Sequence, residues 1–114
     1  MAKFFTFIET EVFTKRIVKM VDDETYADLQ EELVKSPTKG NVIQGTGGLR
    51  KIRMAARGKG KRGGARVLYY FVLMHETIYM IFVYDKGEAD DLTADQKKTL
   101  KALAQAIAEQ HRRK

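Results

Sequence analysis

Residues 66–84 read Arg-Val-Leu-Tyr-Tyr-Phe-Val-Leu-Met-His-Glu-Thr-Ile-Tyr-Met-Ile-Phe-Val-Tyr. Two runs rich in β-branched and aromatic residues, Arg66–Met74 and Thr77–Tyr84, flank His75-Glu76. Such runs fit a pleated, half-buried surface, and the polar pair between them predicts the turn of an antiparallel hairpin. Upstream, Leu49–Ala55 reads as a third strand of the same meander. Lys3–Ile8, rich in phenylalanine, reads as another strand. Between it and the meander lie two helical patterns. Thr10 caps a helix over Glu11–Val21, with Phe13, Ile17, Met20 and Val21 recurring at helical spacing. Asp22 or Asp23 caps a second over about Glu24–Lys35, with Tyr26, Leu29 and Leu33 on one face, and Ser36-Pro37 stops it. Lys39–Gly48 reads as a loop. Thr93 with Gln96 makes a capping box for a last helix that turns Leu100, Leu103, Ala104 and Ile107 inward. The order is strand, two helices, three strands, helix. It predicts an α+β domain over residues 1–114 with a mostly antiparallel sheet of about four strands, two N-terminal helices and a C-terminal helix.

Composition narrows the function. The chain has 114 residues, 21 Lys/Arg and 15 Asp/Glu, a net charge of +6. Eight of the cations and no acid fall in residues 50–66, and without that segment 13 basic residues face 15 acidic ones, a net of −2. The positive character is therefore one patch on a slightly acidic protein. A concentrated patch holds a polyanion, because each phosphate contact releases condensed counterions. The plain alternative is a solvated basic loop that serves solubility, which needs charge but not this clustering. Cysteine is absent and only His75 and His111 are present, so a disulfide framework, a thiolate site or a histidine-based metal site is not expected. No apolar run reaches membrane-span length, and the N-terminal apolar stretch is too short for a signal peptide. A cytoplasmic, bacterial-type protein with no membrane partner fits.

Alternation along the strands locates the patch. With Ile52 and Met54 facing the core, Lys51 and Arg53 share the opposite face. The next strand begins at Arg66, after a glycine-rich loop carrying Lys59, Lys61 and Arg62, and the third returns to the same end at Tyr84–Lys86. Lys51, Arg53, Arg66 and the loop cations are expected to converge on one concave site. Glycines interleaved in 58–64 would let backbone and long cationic side chains approach phosphates closely, or would simply make a flexible basic connection. Tyr84, at the loop end of its strand, is the aromatic expected to touch RNA; the other strand tyrosines are expected to pack. Gly45-Thr46-Gly47-Gly48 is no nucleotide-binding loop, since no Gly-Lys-Ser/Thr opens a following helix. His75 belongs to the turn at the far end of the sheet, and His111 suits a helix C-terminus as a cation.

Two blocks carry a family resemblance. Val42-Ile-Gln-Gly-Thr-Gly-Gly-Leu-Arg-Lys-Ile-Arg53 and Gly58-Lys-Gly-Lys-Arg-Gly-Gly-Ala-Arg-Val-Leu-Tyr-Tyr70 resemble the HigB branch of the RelE/ParE toxin superfamily, and the element order matches over nearly the whole chain. The resemblance implies the toxin of a type II toxin–antitoxin pair, a ribosome-dependent mRNA endonuclease. Such toxins activate the ribose 2′-OH against the adjacent phosphate in the ribosomal A site, leaving a 2′,3′-cyclic phosphate, with no metal or other cofactor. Lys51 and Arg53 fall where RelE toxins place two strand lysines, and Arg66 falls on an arginine that grips the scissile phosphate. Lys51 is then base or charge stabiliser, since crowded cations lower a lysine's pKa. Arg53 and Arg66 would stabilise the pentacoordinate phosphate. Arg50, Arg57, Lys59, Lys61, Arg62 and Lys86 would hold RNA backbone. RelE toxins carry an arginine after the last strand and a tyrosine further on; the matching positions here are Gly87 and Thr93, which leaves Tyr84 or Lys86 as substitutes in the proton transfers. The implied partners are the small ribosomal subunit with its mRNA and a cognate helix-turn-helix antitoxin, through which operator DNA would be bound. Two other readings share the residues: a ParE-like inhibitor of DNA gyrase, and an RNA- or ribosome-binding module without catalysis.

Overall fold

The computed structural model describes residues 5–56, 60, 64–88 and 92–112. The elements run β1 (Thr6–Glu9), α1 (Glu11–Met20), α2 (Asp23–Lys35), β2 (Asn41–Val42), β3 (Arg50–Met54), β4 (Ala65–Val72), a 3-10 turn (Leu73–His75), β5 (Thr77–Asp85) and α3 (Ala94–Arg112). Both helix starts lie at the expected caps. The Thr10 hydroxyl accepts the Phe13 N–H at 3.1 Å, and the Asp22 carboxylate accepts the Thr25 N–H at 2.8 Å. At α3 the capping box closes both ways, with the Gln96 N–H donating to the Thr93 hydroxyl and the Thr93 N–H to the Gln96 side-chain oxygen.

The sheet has five strands in the order β1-β5-β4-β3-β2, rather than about four. The additional strand, β2, lies within the stretch read as a loop, and its two residues are too short to show alternation. It pairs antiparallel with β3, Asn41 opposite Lys51 and Val42 opposite Arg50. The β3–β4 and β4–β5 pairs are also antiparallel, whereas β1 runs parallel to β5. The expected turn at His75-Glu76 is longer than two residues. β4 ends at Val72, and the apolar Leu73 and Met74 continue its run in sequence only, standing 68% and 89% exposed in the 3-10 turn. Glu76 closes this turn in the left-handed region, at φ 47°.

Each face of the sheet has its own core. Phe13, Ile17, Leu29 and Leu33 of α1 and α2 cover Ile52, Met54, Val67, Tyr69, Ile78 and Met80. Ala104 and Ile107 of α3 cover Leu49, Leu68, Ile81 and Tyr84. Leu68 pairs with Phe82 but Tyr69 with Met80, so Ile81 is the extra residue of a bulge in β5. The bulge frees the Ile81 carbonyl to accept the Thr10 hydroxyl at 2.7 Å, which ties the start of α1 to β5.

Candidate functional site

The strand register assembles the cations. Arg53 of β3 lies directly opposite Arg66 of β4, and Arg66 opposite Tyr84 of β5. Lys51 precedes Arg53 by two residues, and Lys86 follows Tyr84 by two, so all project from the α3 face at one end of the sheet. Lys51, Arg53, Arg66 and Lys86 line a common cleft of about 590 Å³. The Lys86 N–H donates to the Gly64 carbonyl at 3.0 Å, which extends the β4–β5 ladder and fixes where Lys86 leaves it. Arg66 is 9% exposed, and its guanidinium donates to the Ala65 carbonyl at 3.2 Å. Like charges directly opposite on neighbouring strands are unfavourable. Two unit charges about 5 Å apart repel by about 1 kcal/mol in water and about 3 kcal/mol at an effective dielectric constant of 20. An anion placed between Arg53 and Arg66 would offset that repulsion.

The rest of the cleft wall comes from residues the sequence reading did not associate with it. Glu32 of α2, Lys39, Gly40 and Asn41 close the side beyond β3. Among the described residues β2 pairs only with Arg50 and Lys51, and no strand pairs with β3 on that side at Ile52–Met54. α2 is thus exposed to the cleft around the sheet edge, and Arg53 also lines a smaller recess with Asp28 and Glu32. The only sequence signal was helical spacing, since Glu32 adjoins Leu33 and follows Leu29 by three residues, at the rim of the buried stripe.

The segment joining α2 to β2 is held from beneath. The Tyr69 hydroxyl donates to the Pro37 carbonyl at 2.7 Å and accepts the Gly40 N–H at 2.9 Å. Burial pushes the Tyr69 hydroxyl above its ordinary pKa, partly offset by the Gly40 N–H and the Arg50 charge. A Cβ on Gly40 would fall 2.8 Å from the Tyr69 ring, so only glycine fits there.

Two of the expected site residues lie away from the cleft opening. Arg50 leaves β3 on the α1–α2 side, and its Nη1 donates to the Thr38 and Gly40 carbonyls at 3.1 and 2.8 Å. It braces the connecting segment and does not join the cleft. Tyr84 is the cross-strand neighbour of Arg66 but is 3% exposed, its ring packed in the α3 core with Phe82 at 6.1 Å. A base cannot stack on a ring buried in this way. Gly64 is required by packing, since a Cβ would lie 2.4 Å from the Met54 carbonyl oxygen. Arg57, Lys59, Lys61 and Arg62 lie outside the described residues. His75 is exposed at the opposite end, its ring 4.5 Å from that of His111, which pairs with the Tyr79 hydroxyl at 2.7 Å.

Known proteins share this fold. A family model described as the RelE toxin of the RelE/RelB toxin-antitoxin system matches residues 9–114. A mutant of the E. coli toxin RelE in the free state superposes with a TM-score of 0.55 at 19% identity, over 79% of this chain and 90% of that one. The RelE–RelB complex of Pyrococcus horikoshii OT3 gives a TM-score of 0.50 at 20% identity, over 78% of this chain and 100% of that one. Those likenesses establish the α+β fold. Among the described residues, no helix is long and apolar enough to cross a membrane.

Proposed function

The chain belongs to the RelE family of toxins from toxin–antitoxin systems, and from that premise we propose that it is a ribosome-dependent endonuclease, of the HigB branch, that cuts mRNA in the A site. The observation that carries this reading is the cleft in which Lys51, Arg53, Arg66 and Lys86 meet. Attack by a ribose 2′-oxygen on the adjacent phosphate adds negative charge to the phosphoryl oxygens. Arg53 and Arg66, opposite each other on β3 and β4, grip those oxygens; guanidinium groups bind them bidentately and stay charged throughout. Lys51 adds a compact positive charge on the same face. Preorganised cations of this kind stabilise the transition state without reorganisation at the moment of reaction.

A small DNA-binding antitoxin, the cytoplasm and operator binding through the antitoxin complete this reading. The solved RelE–RelB complex supports a dedicated neutralising partner. Primer extension on a reporter mRNA in a purified translation system tests the reading. Cuts at A-site codons that require ribosomes and fall steeply in Arg66→Ala are expected. Intact mRNA with the wild type would remove it, and DNA breaks with gyrase would then favour the ParE-like alternative.

A further inference from the structure

The cations of the cleft, Lys51 included, suit charge stabilisation better than proton acceptance. The 2′-hydroxyl must lose a proton as it attacks, and a protonated lysine or an arginine has no lone pair to take it. Among the described residues that line the cleft, Glu32 is the one carboxylate. Its side chain lines the cleft, is 24% exposed and is ion-paired to Lys39. The histidines cannot serve, since His75 and His111 stack at the other end of the sheet.

We propose that Glu32 is the general base of the cleavage reaction, an inference that rests on the endonuclease reading above. The positions across the cleft suit an in-line displacement. Glu32 stands beyond the open edge of β3; Arg53 and Arg66 follow on β3 and β4; Lys86 stands past the end of β5. Attacking and leaving oxygens lie on opposite sides of the phosphorus in such a reaction, and the two walls are opposite in the same way. The 2′-OH gives its proton to the Glu32 carboxylate as the O2′–P bond forms. The P–O5′ bond breaks, and the 5′-oxygen takes a proton from the Lys86 ammonium. The products are a 2′,3′-cyclic phosphate and a 5′-hydroxyl, and solvent restores both side chains. The Lys39 pair orients the carboxylate at the cleft wall.

Single-turnover cleavage of mRNA on programmed ribosomes tests this with Glu32→Gln, Glu32→Asp and wild type. Affinity is measured separately on ribosomes carrying a 2′-deoxy nucleotide at the scissile position, which bind but cannot be cut. A positioned general base contributes on the order of 10²–10⁴ in rate. Glu32→Gln is therefore expected to lose at least about 10²-fold in rate with unchanged affinity for the deoxy complex, and Glu32→Asp to recover part of the rate. Cleavage by Glu32→Gln close to wild type overturns the assignment. So does a loss of affinity that parallels the loss of rate, which would make Glu32 only an anchor for Lys39. Wild type that leaves mRNA intact takes down the endonuclease reading and this proposal together, whereas failure of Glu32→Gln alone to slow cleavage removes only the proposal.

Discussion

On β3 and β4, neighbouring residues belong to different chemistries. Ile52, Met54, Val67 and Tyr69 lie buried beneath α1 and α2. Lys51, Arg53 and Arg66, each one residue away, line a cationic cleft on the other face. The pleat separates them by direction alone, so a one-residue slip in register would turn the arginines toward the core and the apolar side chains away from it. The buried core and the cationic cleft are thus written into alternate positions of the same strands. Substitutions on one face should move stability and those on the other should move activity.

The largest effect expected on the dry face comes from Ile78→Ala. Ile78 is fully buried on that face, and removing such a side chain costs about 2–5 kcal/mol. Urea denaturation reads the loss, while cleavage per folded molecule should stay at the wild-type rate. Arg66→Ala is the counterpart on the cleft face. Losing one transition-state contact costs about 10²–10³ in rate, or about 2.7–4 kcal/mol, and a comparable loss of folding stability would break the separation of faces.

Tyr69 is where the two faces meet, because its ring is core and its hydroxyl holds the segment that walls the cleft. Tyr69→Phe leaves the buried Gly40 N–H and Pro37 carbonyl without that partner, at about 1–3 kcal/mol. It should also weaken mRNA affinity, the one core substitution expected to reach across. Burial raises the folded-state pKa of this hydroxyl. Wild type therefore keeps the associated stability below the unfolded tyrosine value of about 10 and loses it as pH rises beyond. Tyr69→Phe should flatten that alkaline decline in a pH series of denaturation curves.

Thr93→Ala removes the hydroxyl half of the α3 capping box and should cost about 1 kcal/mol, with thermal melting as the readout. The smallest effect belongs to an edge outside both faces. Glu88 accepts two hydrogen bonds from Arg16 of α1, both 2.7 Å. The Asp85 N–H, and then Arg16, hold the Glu88 carboxyl below its usual range. Its contribution is present above the unfolded carboxylate pKa and is lost as pH falls through the folded one. Being half exposed, it is worth at most about 0.2–1 kcal/mol. The stability difference between Glu88→Gln and wild type at neutral pH should vanish in acid, and cleavage should not change.

The sequence by itself determined the helices, their caps, the meander and the face on which Lys51, Arg53 and Arg66 stand. These follow from periodicity and capping chemistry, which act between residues a few positions apart. Tertiary structure decided what those signals do not encode. The parallel pairing of β1 with β5 joins residues some seventy positions apart. Tyr84 looked available at a strand end, yet α3 buries it. Arg50 looked like one more cation of the patch, yet strand parity and the Thr38 and Gly40 carbonyls hold it on the other side. Glu32 carried only the pattern of a surface helix. It became part of the cleft because, among the described residues, a two-residue β2 pairs with only part of the edge of β3. Local hydrogen bonding and hydrophobic spacing set the elements, whereas the meeting of a carboxylate with distant cations depends on which edge of the sheet packing leaves open.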